Sequence, residues 1–185
     1  FSAHKVYGPS GLGVLYIKDK WIDLFPPYQG GGQMIHDVEI TNSSYAEGYE
    51  KFEAGTPPIA PVIGFSSSID FMNEADPDKI YDHEMSVHDY ALEKLYKFNN
   101  INFYGPNQNK GAIISFNIKG VHNSDLGAML DQKNIAIRTG HHCCQPLMKF
   151  YNIAGTARVS FGVYNTFDDV DYFVDSLEEI IKIIQ

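Results

Sequence analysis

The segment Arg138-Thr-Gly-His-His-Cys-Cys-Gln-Pro crowds reactive side chains into a short stretch. The reactive form of cysteine is the thiolate, and its fraction rises beside imidazolium or guanidinium groups or on an accessible loop. Cys143 has Arg138, His141 and His142 close in sequence, with Gly140 to loosen the backbone. A zinc site is the competing reading. Adjacent side chains diverge, however, and zinc ligand pairs are normally spaced by two or more residues. An inert buried cysteine pair is the plain alternative. A second candidate is Lys5, which follows Ser2-Ala3-His4 at the end of a possible strand and precedes a glycine-rich turn. In an extended segment Ser2 and His4 point to one side and Lys5 to the other. Hydroxyl and imidazole donors beside a lysine suit a phosphate next to a Schiff base; a solvated lysine is the alternative. Arg158 stands in Ala157-Arg-Val-Ser-Phe, a strand-like run. If buried it needs a partner, either a ligand carboxylate gripped by the guanidinium fork or a structural Asp or Glu. Gly55-Thr56-Pro57 offers a hydroxyl on a flexible backbone that could meet a phosphate, although it is also a common turn. Gly8, Gly11 and Gly13 do not follow the dinucleotide fingerprint order.

These residues need a scaffold. A Gly/Pro turn over residues 8–13 leads into an apolar run at 14–17 with strand character. Pro26-Pro27 and the triglycine at 30–32 are punctuation, residues 36–57 are polar, and an apolar helix is expected over 60–73. Asp76-Pro77 is a helix start, with Asp as cap and Pro at the first position. Ile80, Val87, Ala91 and Leu95 then recur on one helical face. Strands are expected at 103–104 and 112–118 around the turn Gly105-Pro106, and a helix capped by Ser124 through Leu130. Another strand is expected at 135–138, a loop at 139–145, a short helix from Pro146 and a strand at 157–161. The last helix starts at Thr166-Phe-Asp-Asp, with Val170, Phe173, Val174, Leu177, Ile180, Ile181 and Ile184 on one stripe. The class is α/β, with residues 72–185 forming one sheet covered by helices and residues 1–71 only part of another domain.

Composition narrows the choices. The chain has 185 residues, 44% hydrophobic and 20% charged, which is globular rather than disordered or fibrous. A net charge of −9 makes a poor counterion for nucleic acid or an anionic membrane, though it leaves room for a local cationic pocket. No apolar run reaches the roughly 18 residues of a spanning helix. The adjacent Cys143 and Cys144 allow no disulfide framework, which fits a reducing compartment. The chain opens on Phe1 without the basic and apolar regions of a secretory leader, and is expected to be part of something longer.

Four motifs occur in a telling order: Phe1-Ser-Ala-His-Lys-Val-Tyr-Gly-Pro-Ser-Gly-Leu-Gly, Gly30-Gly-Gly-Gln-Met-Ile, Phe52-Glu-Ala-Gly-Thr-Pro and Arg138-Thr-Gly-His-His-Cys. Together they resemble the SUF-type (group II) cysteine desulfurases of the class V aminotransferase family, over essentially the whole chain but only the C-terminal part of such an enzyme. The resemblance implies an α/β, PLP-dependent fold type I architecture, with residues 1–71 ending the large cofactor-binding domain and 72–185 forming the small domain that carries the cysteine loop. It implies pyridoxal 5'-phosphate on Lys5, with Ser2 and His4 as phosphate ligands. Thr56 matches a phosphate ligand given to the neighbouring subunit of a homodimer. Cys143 matches the persulfide-forming nucleophile, His142 a neighbour that influences its protonation, Arg158 the clamp on the substrate carboxylate and Arg138 the arginine at the base of the loop. The implied reaction takes L-cysteine to L-alanine, with Lys5 moving the α-proton and a dedicated acceptor protein receiving the sulfur for iron–sulfur cluster assembly in the cytoplasm. No metal, nucleic acid or membrane enters. Lys51, Gln33 and the extra thiol Cys144 depart from the usual pattern without removing a required group. Selenocysteine lyase, with a similar fold and loop, is the nearest rival, and a catalytically incomplete interaction module is the other.

Overall fold

Two long helices meet at Asp76-Pro77, where proline cannot extend the first helix but suits the opening turn of the second. The computed structural model describes residues 1–106 and 108–184. It divides at this point into units Phe1–Asp76 and Pro77–Gln185. The sequence reading put the boundary at 71/72. The helix ignores it, because no breaker precedes Asp76, whose φ of 68° ends the run.

In the first unit, α1 (Asp19–Ile22) is a single turn, and β1 (Ile35–Val38) and β2 (Ser43–Tyr45) form an antiparallel hairpin. Next comes α2 (Ile59–Ala75), close to the expected helix. The strand expected at 14–17 does not form: among the described residues an isolated bridge, Ser2 to Gly13, and two backbone bonds between Phe1 and Val14 reach only its start. Strand character is a side-chain preference, and without a paired neighbour the backbone has no ladder to join. Leu15 and Tyr16 accordingly stand out in solvent.

The second unit runs α3 (Pro77–Leu95), β3 (Ile101–Tyr104), β4 (Ile113–Ile118), α4 (Asn123–Asp131), β5 (Arg138–Gly140), α5 (Gln145–Tyr151), β6 (Thr156–Ser160) and α6 (Phe167–Ile184). The strands form one antiparallel sheet in the order β3-β4-β6-β5. Alternation along β4 buries Ile114, Phe116 and Ile118; on β6 it buries Ala157 and Val159. These pack with Val87, Ala91 and Leu95 of α3, Leu126 and Leu130 of α4, and Phe173, Leu177 and Ile180 of α6 in one core. The three helices therefore cover one face, and the alternating residues Ser115, Asn117 and Arg158 belong to the other.

The ends of the elements follow local chemistry. Thr166 Oγ1 accepts from the Asp169 backbone N–H at 3.2 Å, and the Asp169 carboxylate accepts from the Thr166 N–H at 2.9 Å. This reciprocal box starts α6. Ser124 is not the cap of α4; His122 is, its Nδ1 accepting from the Ser124 N–H at 3.3 Å. The strand expected at 135–138 begins only at Arg138. A turn at Asn134 (φ 59°) and a bond from the Ile135 N–H to the Leu130 carbonyl tie the preceding residues to the end of α4.

Candidate active site

The expected site residues fall into two sets, one in each unit. In the first unit Ala3–Lys5 is a turn of 3-10 helix rather than the end of a strand. Successive residues in such a turn are offset by about 120°, so His4 and Lys5 are not on opposite sides. The turn is anchored through buried Ala3, whose N–H donates to the Leu12 carbonyl at 3.0 Å and whose carbonyl accepts from Val6 and Gly8. Helix α2 supports it from behind. A side chain at Gly8 would lie 2.6 Å from the Phe65 ring and 2.8 Å from the Ala3 carbonyl oxygen, so the backbone there must be bare. Ser68 Oγ donates to the Tyr7 carbonyl at 3.1 Å. His4 and Lys5 are exposed and Ser2 is half-buried. Thr56 is also exposed. Its loop is seated on the triglycine: Gly55 donates to the Gly32 carbonyl at 2.9 Å, and a Cβ on Gly31 would come within 3.0 Å of Ala54 Cβ.

In the second unit the pairing of β5 with β6 sets Arg138 directly opposite Arg158 and Gly140 opposite Thr156. Directly opposed residues share a face, so both guanidinium groups rise from the side of the sheet away from the helical core. At the strand ends the two backbones nearly touch; a Cβ on Gly155 would lie 2.9 Å from Gly140 backbone atoms. Asn117 Nδ2 donates to the Gly155 carbonyl at 2.8 Å and fixes it from the β4 side.

The chain leaves β5 through a tight turn over residues 141–144. His142 and Cys143 have φ of 54° and 60°, and the Cys144 N–H donates to the His141 carbonyl at 2.9 Å. Two positive φ values inside one such bond are the signature of a type I′ turn, which prefers Gly and Asn. A histidine and a cysteine here store strain on the order of 1–3 kcal/mol each. The turn puts an exposed Cys143 at its tip. Arg138 Nη2 donates to Cys143 Sγ at 3.1 Å, the pairing a thiolate calls for. The inert buried pair is therefore not what forms, since Cys144 is exposed too.

Electrostatics mark this face as a seat for an anion. Burial pushes the Arg158 guanidinium below its ordinary value, the Arg138 charge adds to the effect, and the Cys143 sulfur opposes it. Arg158 Nε is buried with no hydrogen-bond partner among the described residues. His142 is likewise held below its ordinary value, first by burial; its bond to the Thr156 carbonyl opposes this, while Arg158, Arg138 and His141 add to it. The imidazole is thus a neutral group between cations, not a further cation beside the sulfur. A carboxylate would relieve both arginines at once. Sequence reasoning missed Thr156, Asn117 and Gly155. Thr156 was within reach, standing two residues before Arg158 on the same face of a strand.

The aminotransferase class-V family model matches residues 1–173. The chain belongs to the class-V aminotransferase family. Relatives within this family agree over the whole chain. It is 45% identical to a cysteine desulfurase of Serratia proteamaculans, covering 100% of this chain and 45% of that protein. The crystal structure of the cysteine desulfurase CsdA from Escherichia coli superposes with a TM-score of 0.94 at 34% identity, covering 100% of this chain and 46% of that one. A cysteine desulfurase from Thermococcus onnurineus gives 0.92 at 38% identity, covering 98% and 46%. This class-V chain therefore spans about half the length of the relatives it matches. The expected α/β, fold type I architecture is the one observed over that part.

Proposed function

We propose that this class-V chain is part of a cysteine desulfurase that binds pyridoxal 5'-phosphate and converts L-cysteine to L-alanine, with Cys143 taking the sulfur as a persulfide. The single observation that carries the reading is the Cys143 thiol held at the tip of a strained turn with the Arg138 guanidinium on its sulfur at 3.1 Å, beside Arg158. The donor set fits the cofactor. Lys5 offers an exposed amine, and Ser2 and His4 on the same anchored turn offer a hydroxyl and an imidazole for a phosphate. Thr56 offers a further hydroxyl, proposed to serve the neighbouring subunit of a homodimer. When bound, the cofactor supplies an electron sink at the substrate α-carbon.

The chain's own groups then divide the work. Lys5 would hold the cofactor through its amine, and the same amine, when free, would move the substrate α-proton. Arg158, whose Nε is buried without a partner, grips the substrate carboxylate. Arg138 donates to Cys143 Sγ and places it, and Cys143 attacks the substrate sulfur as the substrate carbon–sulfur bond breaks and leaves its electron pair with the carbon skeleton. A loop tip suits a nucleophile that must reach inward and then present its sulfur to an acceptor. SUF-type (group II) character, a dedicated acceptor protein, iron–sulfur cluster assembly and a cytoplasmic location belong to the same proposal. The shortness of the cysteine turn supports the SUF assignment, and among the described residues no helix is long and apolar enough to cross a membrane.

The test is turnover by the intact protein. With L-cysteine and a reductant, alanine and sulfide should appear in equal amounts. Cys143→Ser should retain the lysine-dependent visible absorbance while sulfide release collapses. Sulfide release by Cys143→Ser at the unaltered rate, or no absorbance that depends on Lys5, would overturn the reading.

A further inference from the structure

Thr156 is 1% exposed, and a hydroxyl so deeply buried needs a partner. Its partner is the ring of His142, whose Nε2 lies 2.8 Å from Thr156 Oγ1 and 3.0 Å from the Thr156 carbonyl oxygen. A carbonyl can only accept, so Nε2 carries the proton and Nδ1 does not. Nδ1 is itself buried without a partner among the described residues, so no second contact competes to reverse the assignment.

The turn that His142 occupies is not self-sufficient. His142 and Cys143 both sit in the left-handed region, and among the described residues the one backbone bond across them is that from Cys144 to His141. Residues with a full side chain hold this conformation only when the surroundings over-determine it. The bonds between His142 and Thr156, 14 residues apart in sequence, tie the turn back to β6.

We propose that Thr156 is a positioning residue for the nucleophile: its hydroxyl seats the His142 ring and so holds the turn that sets Cys143 against Arg138, while its backbone carbonyl fixes that ring as the Nε2–H tautomer. The inference rests on Cys143 being the reactive thiol. The groups that face the His142 ring are Arg158 from β6, Arg138 from β5 and His141 from the turn, and each opposes a proton on it. The group that donates to the sulfur is the Arg138 guanidinium, and the imidazole contributes placement.

The experiment uses the intact protein in a Cys144→Ser background, so that one thiol of the turn reports. Thr156→Val keeps the shape and removes the hydroxyl; Thr156→Ser restores it. Two measurements need no turnover. One is the nitrogen NMR signature of His142. The other is the pH profile of iodoacetamide alkylation at Cys143, read by peptide mass spectrometry. The parent should show the Nε2–H tautomer. Thr156→Val should alkylate at Cys143 several-fold more slowly near neutral pH with a displaced profile, and Thr156→Ser should follow the parent. An Nδ1–H ring in the parent overturns the proposal even if Thr156→Val does not fold. So does a Thr156→Val protein that melts earlier but keeps the parent's profile, since Thr156 would then be only packing. If alkylation and tautomer behave as stated while L-cysteine yields no sulfide, it is the desulfurase reading that fails, not this one.

Discussion

Replacing Gly155 by alanine should damage the thiol turn from a distance. Gly155 is buried where β6 begins, and its added Cβ would meet the Gly140 Cα, carbonyl carbon and oxygen, all at 2.9 Å. These are backbone atoms, so no rotamer change relieves the contact. Nor can Gly155 simply retreat, because its carbonyl is held by Asn117 Nδ2 at 2.8 Å. Overpacking of this kind costs about 1–3 kcal/mol. Against it stands the loss of unfolded-state freedom on going from glycine to alanine, about 0.4–1 kcal/mol in favour of the variant. The clash wins, leaving a net loss of roughly 1–2 kcal/mol. The strain falls on Gly140, the residue that leads into the Cys143 turn. Urea denaturation should show a lowered midpoint with an unchanged slope, and alkylation of Cys143 should change with it. Gly111→Ala is the control: nothing lies within 4 Å of its Cβ position, and its stability should match or slightly exceed the parent's. A Gly155→Ala protein as stable as Gly111→Ala would show that the β5–β6 approach is not tight, and the reasoning would fail.

Other outcomes follow from the same contacts. Arg158→Ala should weaken apparent L-cysteine binding by about 1.5–3 kcal/mol, on the order of 10- to 150-fold in KM, because a charge-assisted pair is lost; an unchanged KM in steady-state assays would remove its role as carboxylate clamp. Thr166→Ala should destabilise the second unit by about 1 kcal/mol, since it removes the cap of α6, and thermal unfolding would register it. The Asp169 carboxyl is held below its ordinary value of 3.8, chiefly by the Thr166 backbone N–H, so its contribution is complete above that value and disappears as pH falls through the lower folded-state one. Asp169→Asn should flatten that acid limb of the stability curve, and an identical acid limb would contradict the capping box.

The sequence showed most where one residue pattern had one physical solution. The stripe on α6 and the face of α3 are apolar at helical spacing, and Val170, Leu177, Val87 and Leu95 are buried as that spacing requires. The cluster Arg138, His142, Cys143 and Arg158 was legible because reactive side chains crowd one loop and one strand. What needs long-range pairing was not legible. Residues 14–17 have strand composition but no ladder, and β5 starts three residues later than its apolar run because pairing with β6 decides it. The turn at Lys5 was misread as extended, since its form depends on Ala3 bonding to Leu12 and Gly8 and on Phe65 of α2 leaving no room for a side chain at Gly8. Thr156 was overlooked because its partner is 14 residues away and only the fold brings them within 2.8 Å.

The proposed desulfurase activity requires that Cys143 receive sulfur from the substrate. One addition of L-cysteine to the intact protein, followed by trapping of free persulfides and peptide mass spectrometry, tests it most directly. The expected result is the mass of one sulfur atom, about 32 mass units, added on Cys143, with none on Cys144 and none in Lys5→Ala. Sulfur appearing on Cys144 alone, or on Cys143 without Lys5, would contradict it.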